Sequence, residues 1–293
     1  IDFIDGHVAA ARILLHQLIE LKEGCEITSR KETKARISYQ RFFRRYLQLA
    51  GMTGTAREVA GELWSIYRMR VVKVPTHRPM RRKYLPDRVY RTSDKKWADI
   101  VKTIDRLHEQ KRPVLVGTRS VEASEKLSEL LTEKGLPHKV LNARQDKEEA
   151  EIISQAGQPA QITVATNMAG RGTDIRLGPG VVEIGGLHVI ASERHEAGRI
   201  DRQLFGRCGR QGDPGASEAF VSLDDELIMV HVWKPWKWLA EGTLSTFFGK
   251  WLGRVLFGRA QRGAQRLHAR MRHNLLKMDE QLSESLAFSG RSE

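Results

Sequence analysis

The stretch "PVLVGTRSVEASEKLSELLTEKG", residues 113–135, decides the fold, because a strand pattern runs directly into a helix pattern. "PVLVGT" is a short apolar run that ends close to a glycine, which is typical of a buried parallel strand. The segment behind it is predicted as a helix, with Ser120 as its N-cap and Gly135 at its end. A buried strand followed by a capped helix indicates an α/β protein.

The same alternation continues on both sides of this stretch. Strands are predicted at "HKVLNA", "QITVAT" (161–166), "LHVIAS" (187–192) and "SEAFVSL". Helices are predicted at "KKWADIVKTIDRLHEQ", "DKEEAEIISQAG" and "HEAGRIDRQLFGRCG". Strands that alternate with helices predict a parallel sheet covered on both faces. Ligands of such sheets lie at the carboxyl ends of the strands, and functional motifs are expected there or in the loops and helices that follow.

Four segments with different patterns divide the chain. Residues 1–73 have a mainly helical pattern around the loop "AGMTGTA" (50–56). Residues 74–92 are rich in proline and arginine and predict an extended linker at a domain boundary. Residues 93–225 form the predicted α/β domain. Residues 226–293 contain a tryptophan-rich stretch and then an amphipathic helix, whose apolar face is Leu267, Met271, Leu275, Met278 and Leu282.

Composition favours an anionic partner. The chain has 293 residues and a net charge of +13, which suits nucleic acid, nucleotide or anionic lipid. Its two cysteines predict neither a zinc site nor a disulfide framework, so a reducing compartment is expected. No apolar run is long enough to span a membrane. Because the sequence starts at Ile1, we expect part of the protein to precede it.

The first candidate motif is "ATNMAGRGTDI", residues 165–175, just after a predicted strand. Gly170 and Gly172 would let the backbone approach a ligand closely, and Arg171 supplies positive charge. Asp174 supplies a carboxylate that could accept a hydrogen bond from a ribose hydroxyl or orient an arginine. A tight turn with no ligand explains the glycines equally well.

The second candidate motif is "GRIDRQLFGRCGR", residues 198–210. Read as one helix, it places Arg199, Gln203 and Arg207 on the same side, with Arg210 one turn further. Guanidinium groups suit phosphate oxygens, because their donors form a planar fork. The alternative is a solvated basic face, which two glycines inside a helix make less favourable.

Both motifs resemble those of superfamily 2 helicase-like motors, where they are called motifs V and VI. Their sequences are similar to those of the SecA family, the ATPases of bacterial protein export. "LAGMTGTA" (49–56) resembles motif III of that family, and "VPTHRP" (74–79) resembles its interdomain linker. "PVLVGTRSVEASEKLSELL" and "HKVLNA" resemble its motif IV region, and "AQRGAQRLHARMRHNLLKMDEQL" resembles the start of its helical scaffold.

The resemblance implies a RecA-like second motor domain, flanked by helical N- and C-terminal segments. Residues 1–73 would be a remnant of the first motor domain. ATP would lie between the two motor domains, with Arg207 and Arg210 as catalytic contacts to its γ-phosphate. Asp174, Arg171, Gly172 and Gln203 would bind or sense the nucleotide.

It also implies partners and a location. The chain would work with a first motor half in the same or a separate polypeptide, a SecYEG-like membrane channel and unfolded preproteins. Anionic lipids and a second copy are further candidates, whereas nucleic acid is not expected. The place of action would be the cytoplasm, at the inner face of the cell membrane.

The sequence departs from the family pattern in its phosphate-binding elements. It contains no G-x-x-x-x-G-K-[ST] loop, and "DDEL" (224–227) follows the arginine motif, which predicts a surface turn rather than a DEAD box. The ATPase is therefore expected to be inactive in this chain alone, with ATP and Mg²⁺ held mainly by the first motor domain and no metal site here. Two alternatives stay open: a non-catalytic paralogue that acts as a binding module, and half of a nucleic-acid helicase.

The tryptophan-rich stretch 233–251 has two interpretations. Tryptophans interleaved with Lys and Arg are typical of a membrane interface. The alternative is an apolar patch that packs the scaffold-like helix onto the motor domain.

Overall fold

The structure is a computed structural model that describes residues 37–141, 146–166 and 173–289, together with Lys22 and Gly24. Side chains are described for these residues except 146–150, 247 and 282–289. The chain divides into two compact units, one of residues 1–46 and 278–293 and the other of residues 47–277. Residues 1–36 of the predicted N-terminal helical region, apart from Lys22 and Gly24, lie outside the described residues.

The described part of the first unit is small. Helix α1 (Tyr39–Phe43) begins behind Ser38, whose hydroxyl accepts a hydrogen bond from the amide of Arg41. The same hydroxyl donates to Asp279 Oδ2 over 2.6 Å, and Arg44 pairs with Glu280 at 2.8 Å. These contacts join α1 to residues 279–280 within that unit.

The second unit contains a parallel sheet of seven strands. The strands are β1 (Arg81–Tyr84), β2 (Arg88–Tyr90), β3 (Val114–Thr118), β4 (Lys139–Leu141), β5 (Ile162–Thr166), β6 (Leu187–Ala191) and β7 (Pro214–Ser222). Their order is β1-β7-β6-β3-β5-β4, and β2 also pairs with β7. Every pairing is parallel, so the class predicted from the strand–helix alternation is confirmed.

Helices connect these strands and cover the sheet. A 3₁₀ turn (Ala56–Val59) leads into α2 (Ala60–Tyr67), and the later helices are α3 (Ser93–Glu109), α4 (Val121–Glu133), α5 (Asp146–Gln155), α6 (Gly198–Phe205), α7 (Glu226–His231), α8 (Lys234–Thr243) and α9 (Phe247–Ser289). Ser120 caps α4 as predicted, since its hydroxyl accepts from the amide of Ala123 at 3.1 Å. Gly135 follows the helix with a φ of +70°, which confirms the predicted end.

The two faces of the sheet carry separate cores, because neighbouring strand residues point to opposite sides. Val114 and Val116 of β3 face the core that α3 and α4 complete with Trp97, Ile100, Ile104 and Leu127. Leu115 faces the other core, which contains apolar residues of α5, α6, α7 and α9. The predicted core face of α3 is confirmed, since all five of its apolar residues are buried: Trp97, Ile100, Val101, Ile104 and Leu107.

The proline- and arginine-rich segment 74–92 includes two strands that the sequence pattern did not predict. Residues 71–80 are exposed, but β1 and β2 pair with opposite ends of β7. The polar sequence "RRKY" of β1 can form an outer strand because most of its side chains stay exposed. The domain boundary assigned to this segment stays a prediction.

The predicted surface turn at "DDEL" is only partly a surface feature. Leu223 and Asp224 form a turn, but Asp225 is buried and pairs with the buried amine of Lys96 at 2.6 Å. Burial raises the pKa of Asp225 to about 6, although Lys96 and the amide of Ser222 lower it. The charge run therefore contains a core ion pair that joins α3 to the start of α7.

Helix α9 includes the predicted amphipathic segment, but an earlier stretch of the helix packs on the domain. Leu252, Leu256 and Phe257 are buried, as are Ala260 and Ala264. Leu267, Met271, Leu275 and Met278 are instead 43–56% exposed, and the side chain of Leu282 lies outside the described residues. Across the described part of the chain, no helix has the length and apolar character needed to cross a membrane.

Candidate functional site

The arginine motif lies partly beyond its helix. Helix α6 begins at Gly198 and ends at Phe205, with Gly206 as its C-cap. The predicted continuous helix through residue 210 is therefore wrong. The amides of Arg207 and Cys208 bond to carbonyls three residues back instead of four, and Gly209, with a φ of +61°, lies in the left-handed region that a right-handed helix cannot include.

The turn after α6 brings three of the predicted site residues together. Arg210 Nη1 pairs with Asp174 Oδ1 at 2.8 Å, and its Nε donates to the carbonyl of Gly206 at 3.0 Å. Arg207 Nη1 donates to the carbonyl of Thr173 at 3.3 Å, and Arg210 Nη1 approaches the same oxygen at 3.4 Å. Two guanidinium groups thus converge on Thr173 and Asp174, near the end of the first motif.

Gly209 is needed because the chain itself comes close at this point. A Cβ atom on Gly209 would lie 2.8 Å from Arg82 Cβ and 3.2 Å from Arg82 Cα in β1. Arg82 Nε also donates to the carbonyl of Cys208 at 2.8 Å. The arginine pair therefore lies beside the amino-terminal ends of β1 and β7, in the loop that follows α6.

Gln203 contacts a different segment from the one that the Arg207–Arg210–Asp174 group contacts. Its amide Nε2 is 3.5 Å from Thr55 Oγ1, in the "AGMTGTA" loop. Thr55 is buried and also contacts Thr53, with 3.1 Å between their hydroxyl oxygens. Arg202, one residue before Gln203, pairs with Glu58. The exposed side of α6 is therefore linked to the segment around the loop that resembles motif III.

Asp201 fixes the start of α6, a role that sequence reasoning missed. Its carboxylate accepts from the amide of His195 at 2.9 Å, from Arg194 Nη1 at 3.1 Å and from Gln261 Nε2 at 2.7 Å. Burial raises the pKa of Asp201, although these donors oppose the shift. Asp201 is the fourth residue of a basic motif, and the sequence gave only weak evidence for its buried role, because exposed acidic residues are common on helices.

A cavity of about 180 Å³ lies beside the start of α6. It is enclosed by the 3₁₀ turn, α2, the start of α6 and α9. Polar side chains line much of it, including Glu62, Arg199, His268 and Arg272. Arg272 pairs with Glu62 at 2.7 Å, and His268 pairs with Glu196 at 3.2 Å. The arginine pair of the second motif does not line this cavity.

The donor set of the arginine site fits an anionic oxygen ligand. Arg210 and Asp174 keep 36% and 45% of their side-chain surface exposed, so their ion pair is a surface pair of small net energy. A phosphate could therefore compete for the Arg210 guanidinium. Among the residues that the structure describes, no group of three His, Cys, Asp or Glu side chains could hold a metal ion. Arg171 and Gly172 lie outside the described residues.

Family comparisons point to one group of proteins. The model of the SecA P-loop domain matches residues 79–182 and 179–235, which together make up more than half of the chain. The chain belongs to the SecA family. The model of the SecA DEAD-like domain also matches residues 6–64. The predicted resemblance is confirmed, as is the RecA-like class of the sheet.

Curated SecA proteins are similar along this whole chain. The protein translocase subunit SecA 2 of Nitrosospira multiformis is 50% identical over 297 residues, covering 100% of this chain and 45% of that protein. SecA 3 of Magnetococcus marinus is 50% identical, with coverages of 95% and 43%. SecA of Desulfovibrio desulfuricans is 48% identical, with coverages of 95% and 33%. The chain thus spans less than half the length of these SecA relatives.

Solved structures of DEAD-box proteins are similar to part of the chain. Domain 2 of the helicase Mss116p, bound to an RNA duplex, is 16% identical with a TM-score of 0.40, and the match covers 51% of this chain and 57% of that one. The E. coli protein SrmB, bound to the regulator RraA, is 22% identical with a TM-score of 0.40, and the match covers 52% and 83%.

Proposed function

We propose that this chain supplies the arginine-bearing half of an ATP-driven protein translocation motor of the SecA type. The observation that carries the proposal is the convergence of Arg207 and Arg210 beside Asp174 at a partly exposed surface. The relatives are named protein translocase subunits, and these names support a role in protein translocation. Unfolded preproteins and a SecYEG-like channel would be its partners, at the inner face of the cell membrane.

In this proposal the two arginines act on a nucleotide held mainly by the other motor half. Bound ATP with Mg²⁺ would supply the phosphoanhydride bond that is hydrolysed. Arg207 and Arg210 would donate to phosphate oxygens and offset the negative charge that grows on them during hydrolysis. Asp174 would release Arg210 to the phosphate and then accept a hydrogen bond from the nucleotide or from Arg207.

Gln203 would report the state of this site to the neighbouring loop. It stands three residues before Gly206 and contacts Thr55, so a shift of the turn after α6 would change that contact. The positioning role is independent of any direct contact between Gln203 and the nucleotide. Arg171 and Gly172 are proposed to line the same site from the loop after β5.

The proposal is tested in a chimera that contains a phosphate-binding loop. The matching region of Nitrosospira multiformis SecA 2 is replaced by this chain, and ATP hydrolysis is measured with and without Arg207→Ala and Arg210→Ala. Loss of an arginine that contacts the γ-phosphate lowers the rate by roughly 10³-fold or more. Arg176→Ala, another exposed arginine close in sequence, is the matched control and should keep the rate.

The same chimera also tests the binding-module alternative. A folded chimera that binds a fluorescent ATP analogue but hydrolyses no ATP would support a non-catalytic chain. Hydrolysis that survives both arginine substitutions would contradict the proposed role of the arginines and leave the family assignment intact.

A further inference from the structure

The segment that leads into the sheet lies against the turn that carries the two arginines of the second motif. Residues 71–80 are exposed, and β1 follows them at one end of the strand order. Arg78 and Arg82 of this stretch both reach the loop between α6 and β7, which we call the arginine turn (residues 206–213). These contacts join residues far apart in the sequence, so they form only when β1 is in place on the sheet.

Each of these two residues donates a hydrogen bond to one carbonyl of the arginine turn. Arg82 Nε donates to the carbonyl of Cys208 at 2.8 Å, and Arg78 Nη1 donates to the carbonyl of Gln211 at 3.3 Å. The first bond is short and partly buried, whereas the second is longer and exposed. Because a charged donor makes a stronger hydrogen bond than a neutral one, the bond from Arg82 is the main attachment.

Two glycines of the arginine turn make room for these two side chains. A Cβ atom on Gly209 would lie 2.8 Å from Arg82 Cβ, and one on Gly212 would lie 3.1 Å from Arg78 Cβ. Both glycines have a positive φ, of +61° and +87°. Each of the two arginines before and in β1 therefore packs against one glycine of "GRCGRQG" (206–212).

Tyr84 holds the guanidinium group of Arg82 in place. Arg82 Nη1 donates to the Tyr84 hydroxyl at 2.8 Å, and the Tyr84 ring lies edge-on to Phe205 with 6.4 Å between the ring centroids. Phe205 is buried and is the last residue of α6. The planar guanidinium thus joins a ring that rests on the end of α6 to a carbonyl in the turn that follows, and these two bonds fix its orientation.

The carbonyl of Cys208 lies between the two candidate phosphate contacts. Cys208 directly follows Arg207 and stands two residues before Arg210, and its side chain is buried. Arg207 and Arg210 both reach the carbonyl of Thr173 from this turn, at 3.3 and 3.4 Å. Because the backbone is continuous, a shift of the Cys208 carbonyl would move the side chains on either side of it. The positions of both arginines therefore depend on the bond from Arg82.

We infer that Arg82 is a positioning residue, which holds the arginine turn so that Arg207 and Arg210 face the phosphate groups of a nucleotide. The inference rests on the proposed function, because it requires these two arginines to contact the nucleotide. Arg82 acts through the turn, since its donors are directed to a backbone carbonyl and to Tyr84. Because residues 71–80 lead directly into β1, a displacement of that segment would reach the turn through the same bond.

The first test measures ATP hydrolysis by the chimera that contains a phosphate-binding loop. Arg82→Gln should lower kcat by roughly 100-fold, the effect of a small misplacement of catalytic groups, while KM for ATP changes less. Arg82→Lys should restore little of the rate, because one ammonium group cannot replace the fixed fork of a guanidinium. Arg81→Gln is the matched control, since it removes one charge from an exposed neighbour in the same strand, and it should keep the rate.

Combined substitutions distinguish positioning from a general loss of structure. In a chimera that already carries Arg207→Ala and Arg210→Ala, Arg82→Gln should lower the rate no further, because its effect on hydrolysis passes through these two arginines. A substitution that only destabilised the fold would lower the rate again. Circular dichroism checks that every variant is folded at the temperature of the assay.

Hydrogen exchange tests the same bond without hydrolysis. In the 293-residue chain, Arg82→Gln should raise amide exchange in residues 206–213 by about tenfold or more, the factor expected when a hydrogen bond to a charged group is lost from a local structure. Helices α3 and α4 should keep their protection, and Arg81→Gln should leave the turn unchanged.

Three outcomes would overturn the inference while the proposed function stands. The first is unchanged exchange of residues 206–213 after Arg82→Gln. The second is a rate that falls with Arg207→Ala and Arg210→Ala but stays the same with Arg82→Gln. The third is a rate fully restored by Arg82→Lys, which would reduce the effect to charge. Hydrolysis that survives the loss of both Arg207 and Arg210 would instead contradict the proposed function, and this inference with it.

Discussion

At the scale of single residues, Gly209 determines where the two arginines of the motif lie. Its positive φ keeps a helix from continuing through the arginine motif, and its missing side chain admits Arg82 of β1. Gly209→Ala should lower the free energy of unfolding by about 1–3 kcal/mol, because both the backbone and the packing are strained. Urea denaturation measures this change.

Gly258→Ala provides the contrast for that measurement. Gly258 lies exposed in α9, and a Cβ atom there would meet nothing within 4 Å. Alanine should raise stability there by up to about 1 kcal/mol, since it favours a helix. If both substitutions changed stability alike, the close approach of Arg82 would not be the reason for glycine at 209.

A second prediction at the scale of single residues concerns His188 and the dependence of stability on pH. Its Nε2 lies 2.9 Å from Glu218 Oε1, and its buried Nδ1 has no hydrogen-bond partner among the described residues. Burial lowers the pKa of His188, and the nearby charge of Arg112 acts in the same direction, although Glu218 opposes them. The unfolded chain therefore binds a proton that the folded chain does not, and stability falls as the pH drops below the unfolded value of about 6.5.

His188→Gln should remove this part of the pH dependence. Unfolding free energies are compared between about pH 7.5 and about pH 5.5, on either side of the ordinary histidine pKa. The unchanged chain should lose more stability over this interval than the variant. An identical loss in both would assign the dependence to other groups.

At the scale of elements, Gly117 lets α6 lie directly on β3. A Cβ atom on Gly117 would come within 2.7 Å of Leu204 Cδ1. Gly117→Ala should cost about 1–3 kcal/mol from overpacking, and Leu204→Ala about 2–5 kcal/mol from the lost side chain. The double variant should be destabilised by less than the sum, because the shorter side chain makes room for the new methyl group. Additive losses would show that the two residues do not share one packing site.

Sequence patterns predicted some elements well and missed others for physical reasons. The inner strands β3, β5 and β6 are apolar runs, because both of their faces are buried. β1 and β2 were not predicted because they are short and polar. They are strands because they pair with β7, which lies far away in the sequence. The end of α6 was misjudged because a glycine within a helical pattern does not reveal its own φ.

The candidate site was predictable in its residue types but not in its grouping. A glycine–arginine pattern indicated a phosphate-facing role for Arg207 and Arg210, and the structure brings both to Thr173. The contact of Gln203 with Thr55 could not be predicted from the motif, because the two residues lie far apart in the sequence. The pairing of Lys96 with Asp225 joins residues far apart in the sequence, so no local pattern could indicate it.

At the scale of the whole molecule, residues 47–277 form a unit with its own sheet and two cores. A polypeptide of residues 47–277 should therefore fold alone and unfold in one cooperative transition. Thermal denaturation followed by circular dichroism would check this, with the 293-residue chain as the reference. A broad transition without cooperativity would show that residues outside 47–277 are needed for the fold.

The strand order also governs how this protein is made. β7 lies between strands from early and late parts of the chain, and β1 and β2 have no other partner in the described sheet. The ribosome releases β1 and β2 long before β7. The backbone amides of these two strands therefore stay unpaired while the middle of the domain is still being translated. Such distant pairing slows folding and leaves early strands exposed to wrong partners. Ribosome-bound chains that end before residue 214 should thus need chaperone protection that longer chains no longer require.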